Sequence, residues 1–275
     1  MRLFDLHVHT NYSDGIYSVE EIIEKASSKK IVGIAITDHD TIDAIKYIAN
    51  NSVDTKNIFI VPGIELSADV EGEEIHILGY YLDCENDMLN EKLSILKRDR
   101  FYRGLEIIDK LSSLGVEIDK ESIISESKQH NNFIGRALIA RKLVSEGYVM
   151  NIKEAFDKYL AEGKPAFVNR RKLSLEESIS LIENANGIPI LAHPGIIKNK
   201  RVITMAIELG VKGIECFTSK HSKIDEKRFI EYCKANNLII TGGSDYHGDN
   251  EILGQYYIDI DKIEAFKNRD FLYNN

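Results

Sequence analysis

Asp5-Leu6-His7-Val8-His9-Thr10, followed by Ser13-Asp14-Gly15, is the stretch on which the fold turns. Successive side chains of an extended strand leave on opposite faces, so His7 and His9 share one face while Leu6 and Val8 take the other. Two imidazoles placed that way can reach one metal ion. Around this strand, Leu3 to Val8, the chain alternates: a helical pattern over Val19 to Ser28, a strand over Ile31 to Ile36, a helix over Ile42 to Ala49, and a strand over Ile58 to Leu66. Ser18 and Glu21 form a capping-box pair before the first helix, while Gly33 and Gly63 lie inside strand runs. This βαβα rhythm predicts an α/β fold with a parallel sheet.

The rhythm resumes after about residue 166, with a helix over Leu175 to Asn184 and strands over Ile188 to Ala192, Gly213 to Phe217 and Leu238 to Thr241. Both ends of the chain therefore feed one sheet. Between them the pattern is helical and charged, with apolar residues at helical spacing in Leu89, Leu93 and Leu96 and again in Leu105, Ile108 and Leu111. The organisation predicted is a barrel built from residues 1–82 and 166–275, with an inserted helical subdomain over 83–165.

Composition narrows the function. The chain has 275 residues, is 43% hydrophobic and 29% charged, and has no apolar run near the roughly 20 residues a membrane span needs. A formal charge of -9 argues against a duplex-binding surface, which needs a basic stripe, and Arg170-Arg171-Lys172 reads as a solvated basic cluster. Cys84, Cys216 and Cys233 are odd in number and contain no C-x-x-C pair, and the N-terminus has no signal-peptide pattern. A cytoplasmic protein with hard metal ligands is expected, with no membrane and no duplex DNA among its partners.

Histidines carry the chemistry. Six of the eight (His7, His9, His39, His76, His193, His247) fall at or just after predicted strands, with carboxylates in the same places: Asp14 after the first, Asp38 and Asp40 after the second, Glu65 after the third, Asp245 after the last. In a β/α barrel, strand ends converge on one rim, where active sites are built. Each residue also has a plainer reading. Asp14 alone is an ordinary Ser-Asp-Gly turn, and Asp38 and Asp40 suit a helix cap or support of a histidine ring. Glu65 is harder to explain without a cation, because an acid after the apolar run Ile58 to Ile64 would be buried. Mixed imidazole and carboxylate ligands suit zinc, manganese or iron, and nine candidates exceed one catalytic site, which points to two or three divalent ions.

These motifs, with Thr37-Asp38-His39-Asp40-Thr41, Pro62-Gly63-Ile64-Glu65, Leu191-Ala192-His193-Pro194-Gly195 and Gly243-Ser244-Asp245-Tyr246-His247, resemble in order those of the polymerase and histidinol phosphatase (PHP) superfamily. The similarity covers nearly the whole chain. It is greatest to the branch of stand-alone nucleoside 3',5'-bisphosphate phosphatases that also act as 5' to 3' exoribonucleases. The resemblance implies a distorted (β/α)7 barrel with a trinuclear site: one ion on His7, His9, Glu65 and Asp245, a second on Glu65, His76 and His193, a third on Asp14, His39 and His247. It also places Arg136 and His221 against substrate phosphate, and Lys164 joins them as a further cation for the phosphates that are not cleaved. Where the branch reads Gly-Arg-Pro-His, this chain has Gly135-Arg136-Ala137-Leu138, so the histidine expected two positions after Arg136 is absent.

The function implied is metal-dependent hydrolysis of phosphate esters of a nucleotide or short single-stranded RNA. Three rivals stand beside it. A histidinol-phosphate phosphatase shares the site but needs an acidic pocket for an ammonium. An amidohydrolase also opens with His-x-His but places a carboxylated lysine after a middle strand, where this chain has Glu65. A regulatory metal-binding module would keep the fold without turnover.

Overall fold

The computed structural model describes residues 1–129, 133–248, 251–267 and 269–272, so His130 lies outside the described residues. Two compact units emerge, Met1–Glu91 with Lys172–Asn275 and, separately, Lys92–Arg171.

The first unit follows the predicted alternation. Strand β1 (Leu3–Val8) leads to α1 (Val19–Ser27), β2 (Gly33–Ile36), α2 (Asp43–Asn50) and β3 (Phe59–Val70). Ser18 caps α1 with the full reciprocal box to Glu21. The inner faces of α1 and α2 bury Ile22, Ile23, Ala26, Ile45 and Ile48 in one apolar cluster with Ile34, Ile36 and Ile60. Leu6 and Val8 do not share a cluster, and the pairing of β1 with β2 slips between Asp5 and Val8.

The expected parallel sheet is corrected at β4 (Glu73–Tyr80), which runs antiparallel to β3. Val70 pairs with Glu73, leaving the two-residue loop Glu71-Gly72, both with positive φ (54° and 88°). That is the backbone of a type I′ hairpin, which returns the chain at once and leaves no room for a crossover helix. Glu65 therefore lies within a long strand rather than closing one, and His76 lies within β4 rather than at a strand end.

After the second unit, the chain returns through β5 (Leu173–Ser174) and α7 (Leu175–Asn184), with Ser174 and Glu177 forming another capping box. Strand β6 (Ile188–Leu191), α8 (Arg201–Glu208), β7 (Gly213–Phe217), α9 (Lys223–Ala235), β8 (Ile239–Gly242) and β9 (Ile258–Asp259) follow. Among the described residues, the strands join one sheet in the order β8-β7-β6-β4-β3-β2-β1-β9, with β5 added to β3. This sheet is a nearly closed barrel. At one end Tyr246, just past β8, pairs with β1 through His9 N donating to its carbonyl at 2.9 Å; at the other, β9 pairs with Leu3 and Phe4.

In the second unit, α4 (Lys120–Gln129), α5 (Arg136–Ser145) and the short α6 (Ile152–Ala155) bury Ile123, Leu138, Ile139, Ala140, Leu143 and Ala155 with Ile107, Ile108 and Leu111 of the α3 helix (Asp87–Ser113). Ala166 and Val168 belong to this core, and Phe167 and Val168 carbonyls accept from Lys110 and Arg103, so the unit extends to Arg171. No helix of the described residues is long and apolar enough to cross a membrane.

Candidate metal centre

Strand register explains why distant residues meet. Glu65 pairs with Leu78 and Ser67 with His76, so Glu65 and His76 are diagonal neighbours on one face of the hairpin. On the other flank of β3, Asp38-His39-Asp40 continues the β2 ladder: Glu65 N donates to Asp38 O at 3.2 Å and Asp40 N to Glu65 O at 3.0 Å. That pairing sets His39 beside Glu65. His7 and His9 come from β1, with ring centroids 5.1 Å apart, and Asp245 and His247 from the segment that closes the barrel against it.

Glu65, 1% exposed, is the hub. Its Oε1 lies 2.8 Å from His76 Nδ1 and 3.1 Å from His193 Nε2; its Oε2 lies 3.3, 3.2 and 3.1 Å from His7 Nε2, His9 Nε2 and His39 Nδ1. Asp245 Oδ1 is 3.4 Å from both His7 Nε2 and His9 Nε2. Asp14 Oδ1 is 3.2 Å from His247 Nε2 and 3.7 Å from His9 Nδ1, and its Oδ2 is 3.8 Å from His39 Nε2. The turn that carries Asp14 therefore aims it at the histidines. It packs so tightly that a Cβ at Gly15 would stand 2.5 Å from the His9 carbonyl oxygen.

Whether these residues fit cations is tested by their hydrogen bonds. Among the described residues, His7 Nε2, both His9 nitrogens, His39 Nδ1, His76 Nδ1 and Glu65 Oε2 are buried yet lack a hydrogen-bond partner. They approach one another closely but without hydrogen-bond geometry, so their lone pairs converge on shared space. Buried polar atoms are nearly always satisfied, and a cation satisfies such a cluster at once. Three groups each bring their ligand atoms within 4.8 Å of one another: His7, His9, Glu65 and Asp245; His9, Asp14, His39 and His247; and His39, Glu65 and His76. His193 stands outside these groups but touches Glu65.

A surrounding layer holds the ligands. Glu215, fully buried on β7, accepts from His7 Nδ1 (3.0 Å) through one oxygen and from His193 N (2.9 Å) through the other. The sequence reading missed it; its signal was an acid inside the apolar run Gly213 to Phe217. Asp38 accepts from Thr10 N, Thr10 Oγ1 and Ser13 Oγ at 2.8, 2.7 and 2.5 Å, which ties down the loop bearing Asp14. Asp40 accepts from Ser67 N, and Asp5 from Ser244 N, Ser244 Oγ and Gly254 N. Helix α2 has no side-chain cap, so neither Asp38 nor Asp40 caps it. His193 and Asp245 hold positive φ (26° and 55°), a conformation costing about 1–3 kcal/mol that concentrates at functional sites.

Burial by itself would raise the carboxyl pKa values, but the surrounding imidazoles outweigh it and hold Glu65, Asp14 and Asp245 well below the usual carboxylate range. The reverse holds at His76: burial disfavours its charge, yet Glu65 and Glu74 push it up to about 10. His39 is lowered to about 3, burial being the largest cause. Asp5 and Asp38, buried with neutral donors for the most part, rise to about 6.

The expected phosphate contacts have other neighbours. His221 has both nitrogens engaged: Nδ1 lies 3.0 Å from Cys216 O, and Nε2 accepts Gly195 N–H at 2.9 Å. No ring hydrogen remains for a phosphate. Arg136 opens α5 in the second unit, with its guanidinium over the rings of Phe156 and Phe167, and Lys164 lies in the same unit. Lys220, unremarked in the sequence, puts Nζ 3.4 Å from Asp245 Oδ2. Cys216 and Cys233 meet as free thiols 3.8 Å apart.

Comparison with known proteins fits this geometry. A family model described as "PHP domain" matches residues 5–160. The chain is 32% identical over 251 residues to a 5'-3' exoribonuclease of Haemophilus influenzae, covering 89% of each chain. It is 28% identical over 256 residues to a 3',5'-nucleoside bisphosphate phosphatase of Chromobacterium violaceum, covering 91% of this chain and 89% of the relative. A solved structure from Bifidobacterium adolescentis, presented as a candidate metal-dependent phosphoesterase, superposes with a TM-score of 0.85 at 25% identity, over 94% of this chain and 93% of that one.

Proposed function

Because the chain belongs to the PHP domain family and is a metal-dependent phosphoesterase, we propose that its substrate is a nucleoside 3',5'-bisphosphate, with 5'-phosphorylated short RNA as a second substrate of the same site. The observation that carries the reading is the convergence of unpartnered imidazole nitrogens on Glu65, Asp14 and Asp245. When bound, two or three divalent ions supply the Lewis acidity that activates water and offsets charge on phosphoryl oxygens.

The chain's own residues divide that work. A neutral imidazole offers one lone pair, so His9 can serve one ion; Nε2, with carboxylate oxygens at 3.2 and 3.4 Å, assigns it to the set with His7, Glu65 and Asp245. His39 then joins Asp14 and His247 through Nε2, and His76 and His193 share Glu65 Oε1. Glu65 would thus offer one oxygen to each of two ions. Glu215 fixes which nitrogen of His7 faces the site, because its carboxylate takes the Nδ1 hydrogen. Manganese, iron or zinc all suit this donor set. Arg136, from its motif, and Lys164, as a further cation, are assigned to the phosphate that is not cleaved, since charged donors orient an anion in a chain of net charge -9. Free thiols suit a cytoplasmic location.

The test is one side-by-side assay. Protein of measured metal content is offered a nucleoside 3',5'-bisphosphate, a 5'-phosphorylated RNA oligomer and histidinol phosphate. The bisphosphate is expected to give the highest kcat/KM, and preference for histidinol phosphate would overturn the assignment. Arg136→Ala is expected to weaken binding of the bisphosphate far more than of a monophosphate; equal effects would remove Arg136 from the phosphate site.

A further inference from the structure

Within Ser219-Lys220-His221-Ser222, we propose that Lys220 binds the oxygens of the phosphoryl group that water attacks, while His221 is a positioning residue for the turn that carries His193. The inference rests on the phosphoesterase reading and reassigns one side of that site.

His221 is committed inward. The residue is 8% exposed, and its ring packs on Phe229 with centroids 5.0 Å apart. Donation from Nδ1 to the Cys216 carbonyl fixes the tautomer, so Nε2 carries the lone pair that accepts from Gly195 N–H. Gly195 is two residues beyond His193 and has no room for a side chain: a Cβ there would stand 2.4 Å from His221 Cδ2. The ring therefore occupies the space that any other residue at 195 would need. The same turn is tied a second time, by His193 N donating to Glu215. Residues on and just after β7 thus grip the His193 turn at two points. Turning His221 outward to meet a phosphate would break both of its bonds and release one of those grips.

Lys220 faces the opposite way. Asp245 divides its oxygens, Oδ1 lying 3.4 Å from His7 Nε2 and His9 Nε2 and Oδ2 lying 3.4 Å from Lys220 Nζ. The ammonium is therefore one carboxylate's width from the atoms that face the ion, with Glu251 its other acidic neighbour at 4.0 Å. The side chain is 36% exposed, so ammonium hydrogens are left for an entering anion. A flexible point charge with three donors suits phosphoryl oxygens, whose charge shifts during transfer. An anion held there meets the metal site and Lys220 together.

The experiment uses the metal-loaded protein, with inorganic phosphate as the probe in isothermal titration calorimetry, metal stoichiometry by mass spectrometry, and kinetics on mono- and bisphosphorylated nucleotides. Lys220→Ala is expected to keep its metal, to bind phosphate about 10-fold or more weakly, and to lose kcat/KM by similar factors on both nucleotides. Lys220→Arg is expected to recover part of the loss. His221→Ala is expected to lose metal and to regain phosphate binding when metal is added in excess, and His221→Gln, whose amide oxygen can accept from Gly195, to retain metal. Wild-type phosphate affinity in fully loaded Lys220→Ala would overturn the assignment of Lys220. Weakened phosphate binding in fully loaded His221→Ala would return the contact to His221. If the loaded wild type turns over neither nucleotide, the proposed substrate falls, and this proposal with it; turnover of the nucleotides without phosphate binding would overturn this proposal alone.

Discussion

In the unit made of Met1–Glu91 and Lys172–Asn275, the side chains sealed from solvent include His7, His9, Asp38, Glu65 and Glu215; in Lys92–Arg171 they are mainly aliphatic, among them Ile107, Leu111, Ile123, Ile139 and Leu143. In the second unit the buried Arg103 donates to the Val168 carbonyl and the half-buried Lys110 to that of Phe167. The first unit instead leaves nitrogens and a carboxylate oxygen unpartnered at its rim. Burying polar groups without partners costs free energy that hydrophobic burial must offset. The difference teaches that one unit is organised for stability throughout, while the other accepts local instability at a place where cations can relieve it.

The comparison breaks most visibly at Glu65. Glu65→Gln is expected to lower turnover more than about 100-fold, beyond the range of an outer supporting residue, with loss of bound metal and an unchanged circular dichroism spectrum. Retained metal and turnover would mean that the rim is polar for another reason. A smaller effect is expected one layer out: Glu215→Gln should weaken metal affinity about 10- to 100-fold, read by competition with a chelator, because both His7 and the His193 turn lose a charged acceptor.

Acidity sharpens the contrast in the metal-free protein. A histidine raised in the folded state stabilises it fully below its unfolded pKa, about 6.5, and ceases to do so as pH rises through the folded value, about 10 for His76. Asp5 and Asp38, raised to about 6, act in the same direction at lower pH. The melting temperature without metal is therefore expected to fall from pH 6.5 to 10. With metal bound, acid should be the threat, since protons compete for the imidazoles. Parallel melting curves with and without metal would contradict this account. The least effect on chemistry is expected in the other unit: Ile139→Ala should cost about 2–5 kcal/mol of stability in denaturant titration while kcat stays near wild type.

How much was legible follows from what each signal depends on. The helix Leu175–Asn184 and the strand Gly213–Phe217 fall where the pattern put them, because periodicity and capping are local. The hairpin was not legible. Its Glu71-Gly72 loop lacks the Asn or Asp that usually marks two positive φ values, and without it His76 reads as a strand-end residue. Asp14 by itself reads as a turn, and its aim at His9, His39 and His247 depends on three other segments.

The sequence by itself determined the residue types and their order: imidazoles and carboxylates spaced through a βα rhythm, which defines both the barrel and the chemistry of its donors. Only the tertiary structure decided which nitrogen faces which oxygen. It wired Glu215 to His7, turned His221 inward and placed Lys220 beside Asp245. The reason is that orientation and hydrogen-bond partnership arise between segments far apart in the chain, and no local pattern encodes them.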